Sequence, residues 1–414
     1  MIKKLTRPLR HARFRRVWLG QAISTVGDGI FSVALIGVVL QHRHSTDLGY
    51  VMAAEGLALV LMSLLGGVLA DRIRRSRAMA LADVLRLLAV LGFTLTAGQG
   101  PLVLSLLFAA MMGAGAAAFQ PAFAALIPSL VPDDDLPAAN ALRSTTARTA
   151  AIVGPAVGGL LLAVGGARTA LLVDLASFAV SVLTLIGISD RVPKRIAAQS
   201  VLTEARAGLS AVRERPWVLT IIVQGTVQLL LVMGPALVLL PILLKERGEF
   251  GAFGLMLGLQ AAGSVLGGLT AAGWKPGRPG VVAVSALALL GLQLTCLALE
   301  LPVYVLGASM VATGFGYSLF GVLWQSALQR EIPDEILGRV FSVEMLGTFA
   351  LAPLGLALAP IAIGLMGAQP VLVGALLVLL LSTVLPLFVR GVSTLGAGAY
   401  RSTTPALAVT GGDS

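Results

Sequence analysis

Twelve separate runs of about twenty apolar residues dominate this chain, and that is the length an α-helix needs to cross the hydrocarbon core of a bilayer. They lie near 17–41, 47–71, 78–98, 101–126, 142–165, 169–189, 217–244, 251–273, 280–300, 302–327, 340–366 and 369–389. A backbone surrounded by lipid must satisfy its own hydrogen bonds, so runs of this kind fold as helices. Composition agrees: 57% of the 414 residues are hydrophobic and 12% charged, about half the charged share of soluble domains. The expected fold class is an all-α membrane protein with twelve transmembrane helices.

The basic residues orient that bundle. Of 30 Lys and Arg, 25 fall in the N-terminal tail, the even-numbered turns and the C-terminal tail, against four (Arg43, Arg168, Lys245, Arg247) on the other side. Arg86 alone sits inside a span. Such asymmetry places both termini in the cytoplasm and the chain in the plasma (inner) membrane as a multi-pass protein. The net charge of +10 is then mostly topology, and no nucleic-acid partner is required by it. The first run follows seven basic residues but is too long for a signal-peptide core, so it should remain as span one. With one cysteine, Cys296, and histidines only at 11, 42 and 44, neither a disulfide nor a metal site is expected, and no cofactor.

Residues 1–16 read as a basic cytoplasmic tail, 17–189 as one six-helix bundle, 190–216 as a cytoplasmic linker, 217–390 as a second bundle, and 391–414 as a disordered tail. Within the linker, Val201 to Val212 has the pattern of a short amphipathic helix. The two bundles repeat at an offset of 201 residues. Leu65-Gly66-Gly67 recurs as Leu266-Gly267-Gly268, Gly113, Gly115 and Phe119 as Gly314, Gly316 and Phe320, and Pro132-Asp133 as Pro333-Asp334. Two parallel repeats are a geometry in which transporters bind substrate at the interface and rock around it.

The turn Gly66 to Arg77 packs Arg72, Arg74, Arg75 and Arg77 around one acid, Asp71. A carboxylate at its own helix C-terminus faces the negative end of the macrodipole, so Asp71 needs a cation or another helix's N-terminus. Its repeat counterpart is Ala272, which cannot play that part.

The pattern Gly67-Val68-Leu69-Ala70-Asp71-Arg72-Ile73-Arg74-Arg75 resembles the signature loop of the major facilitator superfamily, and the resemblance runs from Phe14 to about residue 390. Arg74 stands where many members have glycine. The resemblance implies the two-bundle major facilitator fold and a contact between Asp71 and the start of span eleven, near Gly338 and Arg339. Gly67, Asp71, Arg72, Arg75, Gly338 and Arg339 would then form a conformational switch that latches the inner side shut. Gly154, Pro155, Gly158 and Gly159 resemble the span-five motif of antiporters; their small surfaces permit close helix approach, with Gly263, Gly267 and Gly268 on span eight as the expected partners. Phe14-Arg15-Arg16, Ala82-Asp83 with Arg86, Val173-Asp174 with Ser177-Phe178, and Trp324-Gln325 through Gly338-Arg339-Val340-Phe341-Ser342 resemble the twelve-span exporters that include macrolide efflux proteins and the enterobactin exporter.

Ionisable residues within spans are expensive and functional by default. Asp28 lies 12 residues past Arg16, roughly 18 Å deep at ~1.5 Å per residue. Glu55 precedes Asp71 by 16 residues, about 24 Å from the cytoplasmic end. These two are the candidates for proton coupling. Asp83 and Arg86 are spaced to pair on one helix face, a structural ion pair. Asp174 and Glu344 fall near the ends of spans six and eleven, where snorkelling to water is open to them. Gln21, Ser24, Phe119, Gln120, Gln224, Gln228, Tyr317, Trp324 and Gln325 are the candidate lining of a substrate cavity, apolar with a few polar anchors.

No GxSxG, HExxH or P-loop pattern is present, so an enzyme is not expected. The leading expectation is a proton-driven secondary exporter of a bulky amphipathic drug, antibiotic or siderophore, acting as a monomer in the bilayer. An importer or uniporter of a small metabolite, and a transport-inactive scaffold, are the alternatives.

Overall fold

Gly166 shows most plainly how this sequence folds. The helix Leu136–Leu185 is 50 residues long, about 75 Å if straight, more than twice a bilayer's hydrocarbon core. At Gly166 the backbone turns to φ 75, ψ 173, a region that glycine enters without a Cβ penalty, and the helix divides there into two limbs. Gly367, at φ 84, makes a similar turn near the end of the chain.

The computed structural model describes residues 6–70, 73–96, 99–188, 190, 208–274, 276–349 and 351–393. Helix is the sole regular structure among them. The helices are α1 Ala12–His42, α2 Ser45–Ala70, α3 Arg75–Thr96, α4 Leu102–Leu126 and α5 Leu136–Leu185. After the linker come α6 Pro216–Gln228, α7 Gly234–Glu246, α8 Phe253–Gly273, α9 Pro279–Ala286, α10 Leu290–Ala298 and α11 Val303–Glu331. The series ends with α12 Asp334–Phe349, α13 Ala352–Met366 and α14 Ala368–Val384. A π-helical turn, Leu229–Met233, joins α6 to α7. Nine helical segments among the described residues are long and apolar enough to span a membrane. The 201-residue repeat reappears as equivalent crossings. A Cβ on Gly113 of α4 would run into the Glu55 carbonyl of α2, and one on Gly314 of α11 into the Gln260 carbonyl of α8. Two residues on, Gly115 abuts the Ala82 carbonyl of α3 and Gly316 the Ala286 carbonyl of α9. Small residues at matched positions thus set the same close approach twice.

The apolar core is distributed unequally between the two ends. At the end that carries the α1–α2 and α7–α8 turns, one core runs through both halves, joining Val33 to Leu40, Leu48, Val238 to Leu240, Leu243, Leu244 and Ala359. At the opposite end, which carries most of the basic turns, it divides. Phe14, Val17, Met79, Phe123, Leu126 and Leu185 form one cluster, and Val212, Val218, Trp324, Leu328 and Val340 another. A third, smaller cluster gathers Leu319 and Leu323 with Ala271 and Ala283.

Several expectations fall on residues outside this description. They are Asp71 and Arg72 of the signature turn, 201–207 of the linker helix, and the tail from 394. Residues 208–213 are helical, and Ala211 and Val212 pack into the basic-end cluster of the C-terminal half.

Candidate functional site

In the N-terminal half, Arg86 organises a buried polar cluster. Its side chain is 3% exposed, and Gly115 on α4 leaves room for its stem, since a Cβ there would come within 2.5 Å of Arg86 Cγ. The guanidinium lies 4.8 Å from the Phe119 ring and 4.5 Å from the Phe178 ring, a cation held between two π-faces. It donates to Asp83 on its own helix and, at 3.0 Å, to Asp28 on α1. Asp83 is fully buried, whereas the Asp28 side chain is 36% exposed. Ser181 on α5 donates to the second oxygen of Asp83, and Gln21 donates to Ser181 at 2.8 Å.

Two further acids stand close by. Asp174 takes a 3.1 Å bond from Ser177 and has an oxygen with no protein partner. It is fully buried, so the expectation that it snorkels to water is corrected: α5 faces it inward toward Gly27 of α1. Glu55, half-buried on α2, lies within electrostatic reach of Asp28. The spacing of Asp83 and Arg86 on one helix indicated their pairing, but not that Arg86 also ties α3 to Asp28 of α1. Gln21 and Ser24, expected to line a substrate cavity, are 4% and 1% exposed. Gln21 turns toward α5 and also borders a recess of about 210 Å³ with Phe119, Gln120 and Arg143.

The C-terminal half holds a larger cavity of about 510 Å³, bounded by α6, the π-helical turn, α7, α11, α12 and α13. Gln224, Gln228, Tyr317, Trp324 and Gln325 all line it. The i, i+4 spacing of Gln224 and Gln228 puts them on one face of α6, and seven residues, two turns, separate Tyr317 from Trp324 on α11. Gln228 is tied to Ser382 at 3.0 Å, and the Tyr317 hydroxyl donates to Met233 sulfur at 2.7 Å. Trp324 stacks on Phe320 at 8° and meets Trp217 edge-on at 79°. Its indole N–H donates to Glu344 at 2.6 Å. Glu344 and Thr348 of α12 are cavity residues that sequence reasoning missed. A four-residue spacing on one helix face was the available signal.

Gly154 and Gly159 of α5 make close approaches, though not to the partners expected. A Cβ on Gly154 would sit 2.8 Å from Gly29 Cα of α1, and one on Gly159 2.5 Å from Gly254 Cα at the start of α8. Gly158 faces Ile30 of α1, and Pro155 lies against Gly29. Gly263 and Gly267 instead pack on the backbone of Val311 and Phe315 in α11, and Gly268 faces Ser318. The antiporter-like motif therefore seals α5 to α1 and, at one point, to the other half.

A sequence profile of the transmembrane secretion effector family, one branch of the major facilitator superfamily, matches residues 4–402. The chain belongs to that superfamily. Its transporters include the enterobactin exporter of Escherichia coli O1:K1, 28% identical over 395 residues that cover 90% of this chain and 92% of the relative. The enterobactin exporter of Shigella boydii serotype 18 matches at the same identity and coverage. Among solved structures, a bacterial homologue of the iron transporter ferroportin in an inward-facing state superposes with a TM-score of 0.71 at 18% identity, covering 91% of this chain and 98% of that one. A ferroportin homologue in an outward-facing state gives 0.57 at the same identity and coverage. The protein is thus a multi-pass membrane transporter of a small molecule.

In this superfamily member the signature loop is anchored by an acid the sequence did not single out. Arg75 opens α3, and its backbone N–H donates to Asp190 Oδ2 at 2.8 Å, while Ser76 donates to Oδ1 at 2.5 Å. The Arg75 side chain donates to the Ala125 carbonyl at 2.6 Å. Asp190 satisfies orphan donors at a helix N-terminus, where a carboxylate also meets the positive end of the dipole. Gly67 lies within α2, and Gly338 and Arg339 lie on α12, exposed and half-buried respectively. Asp71 and Arg72 lie outside the described residues.

Proposed function

We propose that this transporter is a twelve-span exporter that moves a bulky amphipathic small molecule out of the cytoplasm by alternating access, in exchange for protons. The observation that carries this reading is the asymmetric core: continuous across the halves at one end, divided at the end where the basic turns gather. If the basic end is cytoplasmic, as the positive-inside rule implies, the halves are closed outward and open inward, with the 510 Å³ cavity ready to load from inside. The higher similarity to the inward-facing ferroportin homologue agrees with that state. Span eleven is α12 with α13 in this reading, and the two limbs of α5 are spans five and six.

Protons enter through Asp28 or Glu55. One guanidinium pairs with both Asp28 and Asp83, and of these two acids Asp28 is the one with substantial exposure. A proton on Asp28 weakens its bond to Arg86 and loosens α1 from α3, which couples protonation to the packing of the N-terminal half. The exported compound belongs with drugs, antibiotics and siderophores, given relatives that export enterobactin. The protein acts as a monomer with both termini cytoplasmic and needs no nucleic acid or cofactor. Inside-out vesicles test the reading. A fluorescent amphipathic substrate should accumulate when the lumen is acidified, and accumulation that survives collapse of the pH gradient would contradict proton exchange.

A further inference from the structure

Glu344 on α12 is a carboxylate that the fold does not account for. It borders the 510 Å³ cavity with one oxygen bonded to the Trp324 indole, and no Lys or Arg lines that cavity among the described residues. Glu344 is half-buried, so its second oxygen is open to the cavity, and a carboxylate facing a largely apolar cavity there favours a cation as its partner. Nearby, Gln224 is 4% exposed, and neither its amide nitrogen nor its amide oxygen bonds any protein group. Ring faces complete the surround: Phe320 and Trp324 lie parallel within 8°, and Tyr317 sits two turns earlier on the same helix. Stacked indole and phenyl faces attract organic cations.

We propose that this cavity is a subsite for an aromatic amphipath bearing an amine or quaternary ammonium. The cation meets Glu344, the ring system lies against Phe320 and Trp324, and a carbonyl, amide or hydroxyl of the ligand pairs with Gln224. The inference rests on the exporter reading and narrows it, since it selects a cationic cargo over an anionic one. An anion would turn instead to Arg143, whose Nε has no protein partner, but the recess there is about 210 Å³, less than half as large.

Tetraphenylphosphonium and tetraphenylborate, nearly identical in shape and opposite in charge, test the charge preference directly. Their equilibrium binding to the purified full chain in phosphatidylcholine nanodiscs is measured against empty nanodiscs. The wild type should favour the phosphonium, and Glu344→Gln should weaken its binding by about 30-fold or more, the scale for removing one partner of a desolvated charge pair, without weakening the borate. Glu344→Asp keeps the charge and should keep the preference. A phosphonium-to-borate ratio unchanged in Glu344→Gln, or a wild type that prefers the borate, overturns the proposal. Binding at equilibrium needs no transport. Absent charge preference with intact export removes this subsite alone, and charge preference without export removes the exporter reading alone.

Discussion

Replacing Arg86 by Met would leave fully buried Asp83 and half-exposed Asp28 without the cation both share. The expected loss is about 3–5 kcal/mol, the range for breaking a buried pair from one side, read as a lowered unfolding temperature in nanodiscs. Asp28→Asn should behave differently, because it keeps the shape of the side chain and can still accept from Arg86. Its unfolding temperature should stay near wild type while pH-gradient-driven transport is lost and substrate binding remains. Retained coupling in that variant would move the proton to Glu55. Part of this site was legible in the sequence: three-residue spacing exposes the Asp83–Arg86 pair, and an acid deep within the first apolar run marks Asp28. The Arg86–Asp28 bond joins residues 58 apart and Gln21–Ser181 residues 160 apart, and no local period encodes which helix faces which.

At the scale of helices, the close approach of α5 to α8 is the contact most open to a steric test. Val at position 159 places side-chain atoms where Gly254 Cα now sits, since a Cβ alone comes within 2.5 Å. Gly159→Val should therefore disfavour the state closed at this end. A cysteine in place of Leu244, 1% exposed in this state, with Cys296 buried, should alkylate roughly tenfold faster in this variant if the shift is about 1.4 kcal/mol. An unchanged rate would mean that the contact does not hold this end shut. The repeat offset correctly matched the glycine crossings of α4 with those of α11, because each pair keeps its two-residue spacing and so presents small residues to the same two neighbouring helices. Partner choice for Gly154 and Gly159 was not legible: a small-residue stripe says that something comes close, and the tilt of the helices decides what.

Across the whole molecule, a charged contact joins the halves at one end, and one of opposite kind is expected at the other. At the far end, Lys245 of the C-terminal half donates to the Leu40 carbonyl at the end of α1, a cation on the negative pole of a helix in the other half. At the basic end, Asp71 is expected to meet the start of span eleven when that side closes. Lys245→Met should shift the population outward-open by up to about 1 kcal/mol, the worth of an exposed charged contact, and Asp71→Asn should shift it inward-open. The most direct test of alternating access is a pair of spin-label distances, one between His44 and Gly248 at the far end and one between Arg148 and Arg278 at the basic end, all four exposed. As pH falls, the first distance should lengthen while the second shortens. Two distances that stay fixed, or that change together, would contradict a transporter whose halves rock about a central cavity.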